Sequence, residues 1–97
     1  MKIRFTPQAT SDLMAIAEYI RARNPAAAVA VRDTILTAIQ LLAAFPEIGR
    51  RQTTAGVRKL IVRRYRYLVY YTIHADDEEV AILSIQHPSR RRAYSDL

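Results

Sequence analysis

The residues of this chain best equipped for chemistry are cationic and gather in its second half. They are Arg58, Lys59, Arg63, Arg64 and Arg66, then His87, Arg90, Arg91 and Arg92, with Tyr94 close behind. Such parts can assemble metal-independent RNA cleavage. A base removes the ribose 2′-OH proton, an acid protonates the departing 5′-oxygen, and cations hold the crowded phosphate. His87 or Tyr94 would exchange protons there, and the arginines would carry charge. The same residues also suit a docking surface. A histidine at a strand end can be satisfied by backbone, and Arg90 to Arg92 beside a chain end can simply be solvated. Tyr65, Tyr67, Tyr70 and Tyr71 can be sheet packing with polar tips. Arginine, with a pKa above roughly 12, holds charge but is a poor proton shuttle.

Other catalytic constellations are missing from the sequence. No serine lies on a Gly-flanked nucleophile turn, so His74 and His87 have no hydrolase triad to join. The acidic run Asp76 to Glu79 reads as a solvated hairpin tip. Gly49 and Gly56 are the only glycines, too few and too far apart for a phosphate cradle. The absence of cysteine excludes disulfides and thiolate zinc sites, and with two histidines a dedicated metal centre is not expected. No cofactor is expected.

The formal charge is +6, and because lysine occurs only at Lys2 and Lys59, the remaining cations are arginines. Guanidinium forks suit bidentate contact with carboxylate or phosphate. The expected partners are therefore an acidic protein surface or nucleic acid, against the plainer alternative that charge only keeps the domain soluble. No apolar run is expected to approach the roughly 20 residues that span a bilayer. The opening MKIRF passes directly into a Thr-Pro cap without the apolar core of a signal peptide, so a cytoplasmic location is expected.

These side chains must be positioned by one small domain, residues 1–97. Residues 2–5 alternate like a strand. Thr6-Pro7 then supplies an N-cap and a first-turn proline. Leu13, Ile16, Ala17 and Ile20 give the buried stripe of a first helix, and Asp12, Arg21 and Arg23 suit its dipole. Asn24-Pro25 repeats the capping device. The second helix has a stripe of Val31, Ile35, Ile39 and Leu42, with small alanines at its start allowing close approach. A very short link implies an antiparallel hairpin, ended by Pro46 and Gly49. Residues 50–56 read as a loop. Strands are expected over 57–63, 67–74 and 80–86, with turns at Arg64-Tyr65 or the neighbouring pair and at residues 75–79. The order is β-α-α-β-β-β, an α+β fold with a helical hairpin packed on a small antiparallel sheet. The opening strand joins the sheet edge, and the arginines fall on the opposite face or rim.

Several segments in this order resemble the RelE/ParE superfamily of small toxins from bacterial type II toxin–antitoxin modules. They are FTPQATSDLMAIAEYI, NPAAAVAVRDTI, Phe45-Pro46 with Gly49-Arg50, GVRKLIV, YRYLVYY, and His87 with Arg90. The two helix segments favour the ParE branch. The resemblance covers nearly the whole chain and implies the same β-α-α-β-β-β fold. It also implies a cognate ParD-like antitoxin, whose C-terminal segment lays an amphipathic helix on the hairpin and extended chain near the sheet. For the ParE branch it implies inhibition of DNA gyrase by binding, without a catalytic site. Arg58, Arg63, Arg64, Arg66, His87 and Arg90 are then the expected contact surface. The alternative is a RelE-like ribosome-dependent mRNA endoribonuclease, with Arg58, Lys59, Arg63, Arg90 and Tyr94 as its candidate catalytic groups. A third reading is a member whose toxicity has decayed, leaving an antitoxin-binding module. Near-absence of lysine favours the binder; Tyr94 in a basic C-terminal stretch favours the nuclease.

Overall fold

The computed structural model describes residues 1–89. The elements are β1 (Lys2–Phe5), α1 (Pro7–Arg21), α2 (Pro25–Ala44), β2 (Arg50–Arg51), β3 (Val57–Ile61), β4 (Leu68–His74), a 3-10 turn (Ala75–Asp77) and β5 (Glu79–Gln86). The sheet order is β1-β5-β4-β3-β2. The meander β3-β4-β5 is antiparallel as its spacing predicts, and β1 adds at one edge. Two features depart from the expected all-antiparallel sheet. β1 runs parallel to β5, and the segment read as a loop contributes the short strand β2 at the far edge. The sheet is therefore mixed and five-stranded.

Both helices start as their caps dictate. The Ala9 amide donates to Thr6 Oγ1 at 3.2 Å, and the Ala27 amide donates to Asn24 Oδ1 at 3.2 Å, with a proline in each first turn. Thr6 also reaches the sheet. Its hydroxyl donates to the carbonyls of Ile82 (2.8 Å) and Leu83 (3.1 Å), pinning the start of α1 to β5. Asp12 does more than face a helix dipole. Its Oδ2 accepts from the Ile85 amide at 3.0 Å, a second stitch between α1 and β5. Arg23 closes α1 by donating to the Tyr19 carbonyl (2.9 Å) and stacking 3.8 Å above the Tyr19 ring.

The main core lies between helices and sheet. Val31, Ile35, Ile39 and Leu42 of α2 and Ile16 of α1 meet Val69, Tyr71, Val80, Ile82 and Ile85. A register shift between Tyr70 and Tyr71 sets Tyr70 opposite Ser84 and Tyr71 opposite Ile82. The extra residue lets Ile82 and Ile85, three apart, both face the helices. A smaller cluster of Val57, Leu68 and Tyr70, with Leu83 packed against it, occupies the other face.

Helix α2 corrects one sequence expectation. Over Pro25–Ala44 it is long and apolar enough to cross a membrane by length and composition, with mean hydropathy 1.5. Its inner stripe forms the core of this domain, yet only 28% of its apolar window is buried. Val29, Leu41 and, just past the helix, Phe45 and Ile48 are each at least half exposed.

Candidate functional site

The site follows from strand alternation. Along β3, Val57 packs in the outer cluster and Leu60 against the main core, so successive side chains point to opposite faces. Lys59 shares the outer face with Val57, where it pairs with Tyr70 across the sheet and is 4% exposed. Arg58 shares the helix-side face with Leu60 and lies opposite Tyr71. The two neighbours in sequence, both expected at the site, are on different sides of the sheet.

Arg58 is committed to the main chain. Its Nη1 donates to the Gly49 carbonyl at 2.8 Å and the Glu47 carbonyl at 3.1 Å. The same loop is held by Tyr71, which is fully buried. Its hydroxyl accepts from the Gly49 amide at 2.8 Å and donates to the Pro46 carbonyl at 2.7 Å. Burial pushes the Tyr71 phenol above its ordinary value, while the Gly49 amide and the Arg58 charge pull the other way. A Cβ on Gly49 would overlap the Tyr71 ring and hydroxyl, which explains a glycine here by space alone. The Phe45-Pro46 and Gly49-Arg50 motif is thus a structural clasp. Across β2 and β3, Arg51 stands directly opposite Arg58, and both line a cleft of about 480 Å³ that also includes Gln52 and Gly56. Like charges opposed in this way repel, and hydrogen bonds to the Glu47 and Gly49 carbonyls hold the Arg58 head in place.

His87 lies at the end of β5 in a small pocket with Ile16, Tyr19, Ile20 and Tyr67. Its Nδ1 accepts the Ser89 amide at 3.1 Å and lies 2.7 Å from Ser89 Oγ, and its ring meets Tyr67 edge-on at 5.5 Å. Nδ1 is thus engaged inside the turn by the Ser89 amide. His87 here holds a turn, as a strand-end histidine can.

The remaining arginines fall on the connection between β3 and β4. The Val62 amide donates to the Tyr67 carbonyl at 2.9 Å, and both residues are buried. This leaves Arg63, Arg64, Tyr65 and Arg66 as an exposed knuckle on a fixed base. The turn is centred on the pair Tyr65-Arg66, whose φ values are 68° and 60°. Left-handed backbone costs a non-glycine residue roughly 1–2 kcal/mol. Arg64 lies 5.2 Å from the Tyr65 ring centroid. Among the described residues Arg63, Arg64 and Arg66 form no ion pair, whereas Arg4, Arg21 and Arg32 pair with Glu79, Glu18 and Asp33. Arg63 and Arg64 also edge a groove of about 400 Å³ against α2, floored by Thr37, Ala38, Leu41 and Val62 and bounded by Asp33 and Thr34. Arg90, Arg91, Arg92 and Tyr94 lie outside the described residues.

The structure therefore divides the expected residues. It gathers Arg63, Arg64 and Arg66, turns Arg58 and His87 to internal contacts, and buries Lys59 on the outer face. Sequence reasoning missed Tyr71 and Asp12 as stitches. Their only signal was a polar tip within an apolar stripe.

The sequence model described as the ParE toxin of the type II toxin–antitoxin system parDE matches residues 3–92. The chain belongs to this toxin family. The chromosomal ParDE system of P. aeruginosa contains a chain of the same fold, with a TM-score of 0.78 and 26% identity. The alignment covers 90% of this chain and 95% of that one. Toxin RelE2 of Caulobacter vibrioides is 36% identical over 89 residues, which is 92% of this chain and 97% of the relative. The intact E. coli RelBE complex also contains the fold, with a TM-score of 0.70 at 14% identity, over 92% of this chain and 98% of that one. This ParE-family chain is accordingly a type II toxin in fold and family, with two helices on a five-stranded mixed sheet.

Proposed function

We propose that this toxin acts in the cytoplasm by binding DNA gyrase, and that a cognate ParD-like antitoxin neutralises it. The observation that carries the first half is the alternation along β3. Arg58 and Lys59 occupy opposite faces, so they do not converge on one phosphate as the nuclease set would require. Arg58 is spent on carbonyls, and the His87 ring is tied into a turn. What remains is a docking surface of Arg63, Arg64 and Arg66, with Arg90 beyond the described residues. The ParE family match supports the same target class.

The antitoxin reading is supported by the half-exposed apolar face of α2 and by the groove along it. An apolar floor at Ala38, Leu41 and Val62, rimmed by Arg63 and Arg64 and, farther along, by Asp33, fits an amphipathic segment whose acidic residues meet the two arginines. The chain's charge of +6 favours such a partner.

The second reading, ribosome-dependent mRNA cleavage, is favoured by the relative named RelE2. One experiment separates the two. The toxin is expressed alone, and plasmid supercoiling is measured alongside primer-extension mapping of mRNA ends. The gyrase reading expects relaxed plasmid and trapped cleavage complexes without new mRNA ends. New ribosome-dependent ends that vanish in Tyr94→Phe would replace it with the nuclease.

A further inference from the structure

The geometry points to the Arg63–Arg66 knuckle as a contact for unpaired nucleic acid, with guanidiniums on successive phosphates and Tyr65 stacked on a base. Four observations carry this. First, the knuckle is preorganised, since the Val62–Tyr67 backbone bond and the burial of both residues fix its base. Second, it keeps bulky cationic and aromatic side chains where the backbone favours glycine or asparagine, at Tyr65 and Arg66. A turn selected for folding alone would not carry these residues, and strain of this kind gathers at functional elements.

Third, its charges are held in reserve. Among the described residues, the arginines of the helices and of β1 and β3 have carboxylate, carbonyl or ring partners within the domain. Arg63 and Arg66 have none among those residues, and Arg64 has only the adjacent Tyr65 ring. Fourth, Tyr67, Tyr70 and Tyr71 are buried, whereas Tyr65 is 37% exposed. The protein contact proposed above needs only the three charges and makes no call on the tyrosine. Phosphates alternating with bases use both, because base–aromatic stacking and arginine–phosphate contact are the two components of single-strand binding.

This inference does not depend on which target the toxin poisons, and its test contains neither gyrase nor ribosome. Failure here leaves the gyrase reading standing. The full-length chain is titrated with fluorescein-labelled oligothymidylate, oligouridylate and a duplex between about 50 and 300 mM salt, the range over which counterion release is read. Each phosphate contact on a single strand contributes about −0.7 to the slope of log K against log salt. The combined variant Arg63→Gln, Arg64→Gln, Arg66→Gln should therefore flatten the slope by about 2. Tyr65→Leu should weaken single-strand binding by about tenfold, as expected for one stacked base, with the slope unchanged. Comparison of oligothymidylate with oligouridylate identifies whether DNA or RNA is preferred.

A parallel variant with Arg90, Arg91 and Arg92 changed to Gln measures the tail, and circular dichroism melts confirm that each variant is folded. An unchanged slope in the folded knuckle variant would overturn the proposal. So would a Tyr65→Leu variant with undiminished affinity, or equal affinity for an oligoglutamate peptide, either of which reduces the knuckle to a generic cation.

Discussion

Replacing Tyr71 with phenylalanine should destabilise this toxin far more than loss of one hydroxyl suggests. The hydroxyl satisfies two main-chain groups at once, the Gly49 amide at 2.8 Å and the Pro46 carbonyl at 2.7 Å. The Tyr71 side chain is fully buried, and Gly49 is buried beside it. The variant leaves a donor and an acceptor without partners, each costing about 1–3 kcal/mol. Partial hydration of Pro46 and the relief of no longer burying a phenol offset some of this, so the net loss should be about 2–3 kcal/mol. For a domain of this size that corresponds to a fall in Tm of about 10–20 °C. Urea denaturation followed by far-ultraviolet circular dichroism measures it directly, and hydrogen exchange should show the Gly49 amide losing protection. Arg58→Met acts on the same loop through Gly49 and Glu47, so the pair should couple by more than about 0.5 kcal/mol in a double-mutant cycle. A loss below about 0.5 kcal/mol with Gly49 still protected would refute the clasp.

Other outcomes follow from the same geometry. Gly49→Ala should also destabilise, by about 1–3 kcal/mol, because the new Cβ meets the Tyr71 ring; thermal melts should place it near Tyr71→Phe. Thr6→Ala should cost more than Asn24→Ala, for which about 1 kcal/mol is typical of a lost cap, because Thr6 also binds the Ile82 and Leu83 carbonyls. The raised Tyr71 phenol makes stability pH-dependent at the alkaline end. Its contribution is complete below the unfolded value of 10.0 and is lost as pH rises through the higher folded value, which denaturation at a series of pH values on either side of that point reads out. Leu41→Glu, at a half-exposed groove position, should leave the melt nearly unchanged while weakening antitoxin binding by about tenfold or more, measured by calorimetry.

The parts legible in the sequence were those set by periodicity and capping. The stripe Val31, Ile35, Ile39 and Leu42 is the buried face of α2, and Thr6-Pro7 and Asn24-Pro25 open both helices. What escaped depended on reach between distant segments. Asp12 bonds across 73 positions to Ile85, and Tyr71 across 22 to Gly49, and no local pattern encodes either. The parallel direction of β1 was likewise hidden, because it is set by pairing with β5 far along the chain, Lys2 opposite Glu79, and alternation is silent on orientation. The site was half legible. The period of two already separates Arg58 from Lys59, but only the packing of Val57 and Leu60 reveals which face meets the helices. The turn residues Tyr65 and Arg66 gave no warning of left-handed backbone, because neither is the glycine or asparagine that normally signals it.

Gyrase poisoning by docking, proposed for this toxin, can be tested with purified components. Purified toxin, gyrase, ATP and relaxed plasmid test it in one tube, with supercoiling and denaturant-trapped cleaved DNA as the readouts. Poisoning by docking should abolish supercoiling and accumulate linear plasmid, an effect reversed by antitoxin and reduced in the combined Arg63, Arg64 and Arg66 glutamine variant. Full supercoiling at excess toxin, with no cleaved DNA, would contradict it.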